Sequence, residues 1–328
     1  MPAVEAGTDG AATRLPDRPH GHAPGTSGTR TPRARRRARH RREYLLFAAF
    51  ALPNFFFVAV FAYWPVLYNA YLSLTSWNML APVKQFVGLT NYTDLFTDPD
   101  FLDTLTTTLV FTVGVVGGSM VLGLAVSLLL NQRLAGRGLV RTAAFAPHIL
   151  SGAAVGTVWL FIFDPNYGLI RPLLAPFGLS SPAWMTSSTW ALPGLIIVYL
   201  WKNTGFIATV YLAGLATMPA DLYEAAALDG AGAVTTFRRI TLPLLSPITF
   251  FLFITTTIGT FQAFDVIALM TGGGPGNSTT ILSWFIYRQA FKAFDAGHAA
   301  AAAMVMFVLL LAITALQARF LERKVHYR

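Results

Sequence analysis

Two charged side chains stand inside segments that are otherwise apolar. Lys202 interrupts Tyr199-Leu200-Trp201-Lys202-Asn203-Thr204-Gly205, and Asp265 follows Phe261-Gln262-Ala263-Phe264. A lysine near the middle of a membrane costs about 2.5–3.5 kcal/mol on insertion scales, so it must face a polar interior or a partner. A Lys202–Asp265 ion pair would lower that cost for both. Around them, Trp201 and Phe261 offer aromatic faces, and Asn203 and Gln262 offer amides. Aromatic faces suit the C–H surface of a sugar, and amides and charges suit its hydroxyls. These six residues are the candidate solute path. A purely structural ion pair, or a lysine reaching toward the membrane edge, remains open beside it.

Reaction chemistry finds little support. The chain has no cysteine, which removes disulfides, zinc-thiolate sites and cysteine nucleophiles. His20, His22, His40 and His326 lie in the tails, while His148 and His298 stand singly in different segments, so no metal site is expected. No Ser/His/Asp set is identifiable. Gly272-Gly273-Gly274-Pro275-Gly276 lacks the Gly-Lys-Ser/Thr ending of a phosphate loop and reads as a turn. No cofactor is expected, and the chain is not expected to be an enzyme.

The elements that would position the candidate residues are membrane spans. Of 328 residues, 54% are hydrophobic and only 12% charged, with a mean hydropathy of +0.53, well outside the range of a soluble domain. Six apolar segments, at roughly 44–68, 104–130, 139–163, 189–214, 245–270 and 299–320, are each long enough to cross the bilayer as a helix. The fold expected is an all-α integral membrane protein. Arg133, Arg137 and Arg141 mark the second connection, Arg238 and Arg239 the fourth, and Arg319, Arg323, Lys324 and Arg328 the C-terminus. The first connection instead carries Asp94, Asp98, Asp100 and Asp103. This asymmetry places both termini on the cytoplasmic side of a multi-pass protein.

Residues 1–43 hold ten arginines and four acids, which supply most of the formal net charge of +9. Poor in aliphatic residues, they read as a disordered basic cytoplasmic tail that orients the first span and attracts anionic membrane lipid. No nucleic-acid module accompanies them. Residues 44–322 form the six-span domain, and 323–328 a short cytoplasmic tail. Gly114-x3-Gly118 and Gly152-x3-Gly156 allow close helix approach, and Pro53, Pro147 and Pro193 predict kinks.

The fourth connection, 218–244, is polar between two apolar spans. Asp221 is placed to cap a short helix, with Glu224 completing a capping box. Ala225 to Ala227 favour helix, and Gly230 supplies a left-handed stop. A second helix is expected from Val234 to Ile240, stopped before Pro243. The result is a helix-turn-helix on the cytoplasmic face. It could be a rigid knob for another protein or an interfacial helix without a partner.

Read as E-A-A-x3-G-x9-I-x-L-P, Glu224 to Pro243 resembles the EAA motif in the cytoplasmic loop of permease subunits of binding-protein-dependent ABC importers. Phe86-Val87-Gly88-Leu89, Asn91-Tyr92, Tyr211 to Leu215, Met218-Pro219 and Thr271 to Pro275 are similar to the carbohydrate branch. Within it they resemble the first of the two unlike permease subunits of maltose, glycerol-3-phosphate and multiple-sugar systems. The resemblance implies an ATP-driven importer subunit of the cell membrane, forming half of a carbohydrate transport path. Its implied partners are a second permease subunit, a dimer of ATP-binding ABC subunits and an extracytoplasmic solute-binding protein. It also implies that Glu224, Ala225, Ala226 and Gly230 contact the ATPase, and that Ile240, Leu242 and Pro243 anchor the loop to the next span. The rival expectation is a stand-alone secondary carrier or channel with Lys202 and Asp265 as its polar core.

Overall fold

The structure is a computed structural model that describes residues 32–132 and 136–321, with the side chains of 32–43, 137, 320 and 321 left out. It divides into two compact units, Met1–Ala62 and Tyr63–Arg328.

In the first unit, α1 runs from Pro32 to Val58. Residues 32–43, expected to be disordered, are therefore helical here. Arginine and alanine are good helix formers, and adding turns to a helix already nucleated in the apolar segment is cheap. The rest of the expected tail, 1–31, lies outside the described residues, as does the C-terminal tail 323–328.

The second unit opens with α2 (Trp64–Leu72), a two-residue antiparallel ladder pairing Thr75–Ser76 with Gln85–Phe86, and α3 (Thr90–Thr97). Asn91 is buried, and its amide donates to the carbonyls of Ser73 and Thr75 at 2.8 and 3.0 Å. This segment is thereby tied to the end of α2. Then come α4 (Pro99–Leu130), α5 (Arg137–Ile149), α6 (Gly152–Ile162), α7 (Ser188–Ala216), α8 (Ala220–Leu228) and α9 (Ala233–Thr236). Last are α10 (Ser246–Phe261), α11 (Asp265–Met270), α12 (Leu282–Tyr287) and α13 (Ala296–Leu321).

Among the described residues, five stretches are long and apolar enough to cross a membrane, namely 44–72, 99–130, 188–216, 246–270 and 296–319. The third expected span, 139–163, differs from a straight helix. It is broken between Ile149 and Gly152, and its halves α5 and α6 meet at 104°. Pro147 withholds a backbone donor just before the break, and Ser151 restarts the chain by accepting the Ala154 N–H on its hydroxyl. Counting that bent pair as one crossing gives six.

Helix association in lipid rests on close packing rather than on the hydrophobic effect. Gly114 and Gly118 of α4 face Ile196 and Leu200 of α7, where an added Cβ would come within 3.0 and 2.6 Å of them. Gly205 of α7 lies against the Ala144 carbonyl of α5 so closely that any side chain would collide with backbone. Around these contacts Phe111, Val115, Leu195, Val198, Val266 and Ile267 make one buried cluster, and Ile207, Tyr211, Leu245 and Leu252 another.

Candidate functional site

Lys202, on the fourth crossing, and Asp265, at the first position of α11, meet with Nζ 3.6 Å from Oδ2. The lysine is the more buried partner, its side chain 16% exposed against 49% for the aspartate. The fifth crossing supplies Asp265 because its helix breaks after Phe261 and restarts at Asp265. The carboxylate also accepts the Val266 N–H at 2.9 Å and the Tyr199 hydroxyl at 3.5 Å. On its remaining side it touches Gly152, where a Cβ would occupy the position of the carboxylate. Asp265 therefore sits beside the N-terminus of α6, whose positive dipole end favours an anion. Three crossings converge on this one group.

A cavity of about 340 Å³ opens beside the pair. Lys202, Asn203, Gln262 and Asp265 line it together with His148, Tyr199, Thr255, Thr256 and Thr260. The lining is therefore one charge pair among amides, hydroxyls and an imidazole, with Phe206, Ile207 and Ala263 supplying apolar surface. The other two candidates stand elsewhere. Trp201 lies edge-on to Trp159, centroids 5.6 Å apart, in a separate apolar crevice. Phe261 is buried beside Phe101, Leu282 and Phe285. Neither lines this cavity, Phe261 being buried and Trp201 exposed on another side of its helix.

Three features of the cavity escaped sequence reading. Tyr199 lies three residues before Lys202 and so shares its helix face, a signal that was available. Thr256 and Thr260 likewise share a face at i, i+4. His148 could not be placed from sequence, because it depends on the break after Ile149; its ring stacks on Phe206 with centroids 4.6 Å apart.

The 218–244 segment begins with α8. The expected capping box is absent. The N-cap is Pro219, with no side-chain cap, and Asp221 lies inside the first turn, where its charge suits the helix dipole. Glu224 and Ala225 are exposed, and Ala226 is buried. Gly230 takes φ +72°, and the N–H groups of Gly230 and Ala231 return to the carbonyls of Ala227 and Ala226, closing the helix.

The second expected helix does not stop before Pro243. After α9 the chain makes a π-turn at Phe237–Thr241, in which the Leu242 N–H reaches the Phe237 carbonyl, and it continues helically toward α10. A wider turn accommodates the proline ring that an α-helix would exclude. Ile240 and Pro243 are half-buried and Leu242 is exposed. The buried contacts fall instead on Thr241 and Leu245. Tyr223 ties the two arms together. Its hydroxyl lies 2.9 Å from Met218 Sδ and 3.1 Å from Thr241 Oγ1. Away from this seam the segment offers an apolar surface on which Leu228 is 90% and Val234 72% exposed.

Residues 33–327 match the family described as binding-protein-dependent transport system inner membrane component. The sn-glycerol-3-phosphate transport system permease protein UgpA of Yersinia pestis is 35% identical over 280 residues, covering 84% of this chain and 94% of its own. The sulfoquinovosyl glycerol transport system permease protein SmoG of Agrobacterium fabrum is 34% identical over 281 residues, covering 85% and 91%. Among solved structures, a bacterial ABC transporter involved in the import of the acidic polysaccharide alginate aligns with a TM-score of 0.75 at 25% identity. That alignment covers 88% of this chain and 99% of the other. A second structure holds the alginate transporter in complex with a pentasaccharide-bound periplasmic protein and aligns with a TM-score of 0.74, at 25% identity over 86% of this chain and 96% of the other.

Proposed function

This chain belongs to the family of binding-protein-dependent transport system inner membrane components, and from that premise we propose that it carries a sugar or related polyol through the cavity beside Lys202 and Asp265. It is a permease subunit of an ABC importer, and the relatives named above are permease proteins of transport systems. The carrier or channel reading is accordingly not favoured. The observation that carries the substrate class is the lining itself. Hydroxyls and amides from the fourth and fifth crossings, with His148 from the third, surround a charge pair that already satisfies itself, a setting suited to a hydroxyl-rich solute.

In this reading residues 44–322 form half of the path, completed by a second, unlike permease subunit. A solute-binding protein delivers the solute from outside. ATP is hydrolysed on a separate pair of ABC subunits, and both termini lie in the cytoplasm. The exposed face of α8, with Glu224, Ala225 and the turn at Gly230, docks into the ATPase, and Ala226 seats that helix on its own subunit. Closure of the ATPase then moves the helical segment that ends in α10, and the cavity opens first outward, then inward.

The test is solute-stimulated ATPase activity of the co-expressed complex, using a panel of neutral and acidic sugars with the cognate binding protein. Glu224→Lys and Gly230→Asp are expected to assemble in the membrane and to lose stimulation. Unchanged stimulation in both variants, or no bound ATPase, would remove the coupling assignment.

A further inference from the structure

A second crevice lies at the opposite end of the bundle from the outer segments, on the side where α7 leads into the 218–244 segment. It has a volume of about 220 Å³ and is lined by Leu130 and Asn131 at the end of α4, Gly138 and Arg141 at the start of α5, and Leu212, Ala213 and Ala216 at the end of α7. We propose that this crevice binds the phosphodiester headgroup of an anionic phospholipid. The proposal rests on the membrane placement given above and not on the identity of the transported solute.

Of its two polar side chains, Arg141 only donates, and Asn131 offers an amide donor beside its carbonyl acceptor. Arg141 and Asn131 form no side-chain hydrogen bond or ion pair among the described residues, and no carboxylate lines the crevice. The connection that delivers them, 131–141, contains Arg133, Arg137 and Arg141 and no acid, so the local charge favours an anion. The two helix C-termini at the same site already attract a cation, and Arg141 offsets them. Among the described residues the guanidinium fork has no acceptor, and its geometry matches a phosphate group. Gly138 leaves the approach open, with nothing within 4 Å of where its Cβ would be.

The apolar floor decides between the two sources of a phosphate. Leu130, Leu212, Ala213 and Ala216 form most of the lining. A free inorganic phosphate would have no use for them, whereas the glycerol and upper acyl chain of a phospholipid would cover them. Basic crevices between spans on the cytoplasmic side are a recurring setting for such headgroups.

The experiment uses the delipidated, co-purified complex in mild detergent, read by native mass spectrometry and by thermal unfolding. Phosphatidylglycerol, phosphatidylcholine and inorganic phosphate serve as probes. Phosphatidylglycerol is expected to remain bound and to raise the unfolding temperature, while the other two do neither. Arg141→Gln should weaken the phosphatidylglycerol effect about fivefold, and Arg141→Lys should retain part of it. Leu212→Trp, which fills the floor while leaving Arg141 in place, should abolish it, and it serves if Arg141→Gln does not assemble. Equal stabilisation by inorganic phosphate would overturn the lipid assignment, and equal stabilisation by phosphatidylcholine would overturn the charge argument. An Arg141→Gln complex that binds phosphatidylglycerol normally would overturn the site, including where its ATPase activity falls because a partner subunit covers the crevice.

Discussion

Lys202 Nζ stands 3.6 Å from Asp265 Oδ2, joining the fourth and fifth crossings at the point where the bent third crossing also touches the carboxylate. The pair is half inside the cavity, so its worth lies between that of a surface bridge and that of a buried one. Lys202→Met should lower stability by about 1–3 kcal/mol, because it leaves Asp265 without its cation. Adding Asp265→Asn should recover part of that loss. Thermal unfolding of the two single variants and the double variant checks this, and strictly additive losses would show that the two groups do not interact. Uptake should stay low in all three.

Gly152 makes the third part of the same junction. Gly152→Ala would drive a methyl group into the Asp265 carboxylate, and overpacking of that kind costs about 1–3 kcal/mol. Gly117→Ala, on a face with nothing within 4 Å, should be neutral. If both variants fold and transport equally well, the close approach at Gly152 does not hold the cavity together.

Tyr223→Phe removes the hydroxyl that meets Met218 Sδ and Thr241 Oγ1. Its loss should cost about 1 kcal/mol. Solute-stimulated ATP hydrolysis should fall more than basal hydrolysis, since the seam joins α8 to the segment that follows it. Equal falls in both would place Tyr223 in folding alone.

At Gly230 the constraint is conformational rather than steric, with φ +72° and open space around the Cα. Gly230→Ala should cost about 1 kcal/mol, and Gly230→Asn less, because asparagine tolerates the left-handed region. Melting temperatures of the assembled complex distinguish the two. An alanine variant as stable as wild type would show that the turn can be made another way.

Asp295 supplies the pH dependence. The His298 ring, hydrogen-bonded to its carboxylate at 2.8 Å, holds the Asp295 carboxyl below the usual range. A depressed folded value means that the stabilisation is present above the unfolded value of about 3.9 and is lost as pH falls through the folded one. Asp295→Asn keeps an acceptor for the His298 N–H but removes the charge. The melting-temperature gap between wild type and Asp295→Asn should hold from pH 7 to pH 5 and close below about pH 4. A gap that persists into strong acid would rule out the charge as its source.

Length and apolar composition were enough to place the spans, since few residue types can cross lipid in twenty consecutive positions. The pairing of Lys202 with Asp265 was legible for a related reason, as two charges within apolar segments have few alternatives to one another. The bend in the third crossing was not legible, because Pro147 alone predicts a modest kink, whereas the 104° angle depends on Ser151 capping a new helix against neighbours. Trp201 and Phe261 were assigned to the cavity on residue type. Their helix faces show why type alone misleads: Gln262 lines the cavity while the adjoining Phe261 packs on the other side. The capping box failed for a different reason, because Pro219 begins the helix two residues earlier than Asp221 could.

The π-turn at Phe237–Thr241 lets the backbone stay helical from Ala233 through Pro243 to Leu244, and after a turn at Leu245 the helix resumes at Ser246 and runs to Phe261. At about 1.5 Å per residue such a rod is long enough to span the whole thickness of a bilayer. Each length is stiff along its own axis, so the path can bend at the Gly230–Gly232 joint and at the turn of Leu245. Displacement at the Gly230–Gly232 joint would then reach Phe261 by way of the turn at Leu245, one residue before the cavity lining at Gln262. The proline usually regarded as a break in a helix would here mark the middle of a connecting rod.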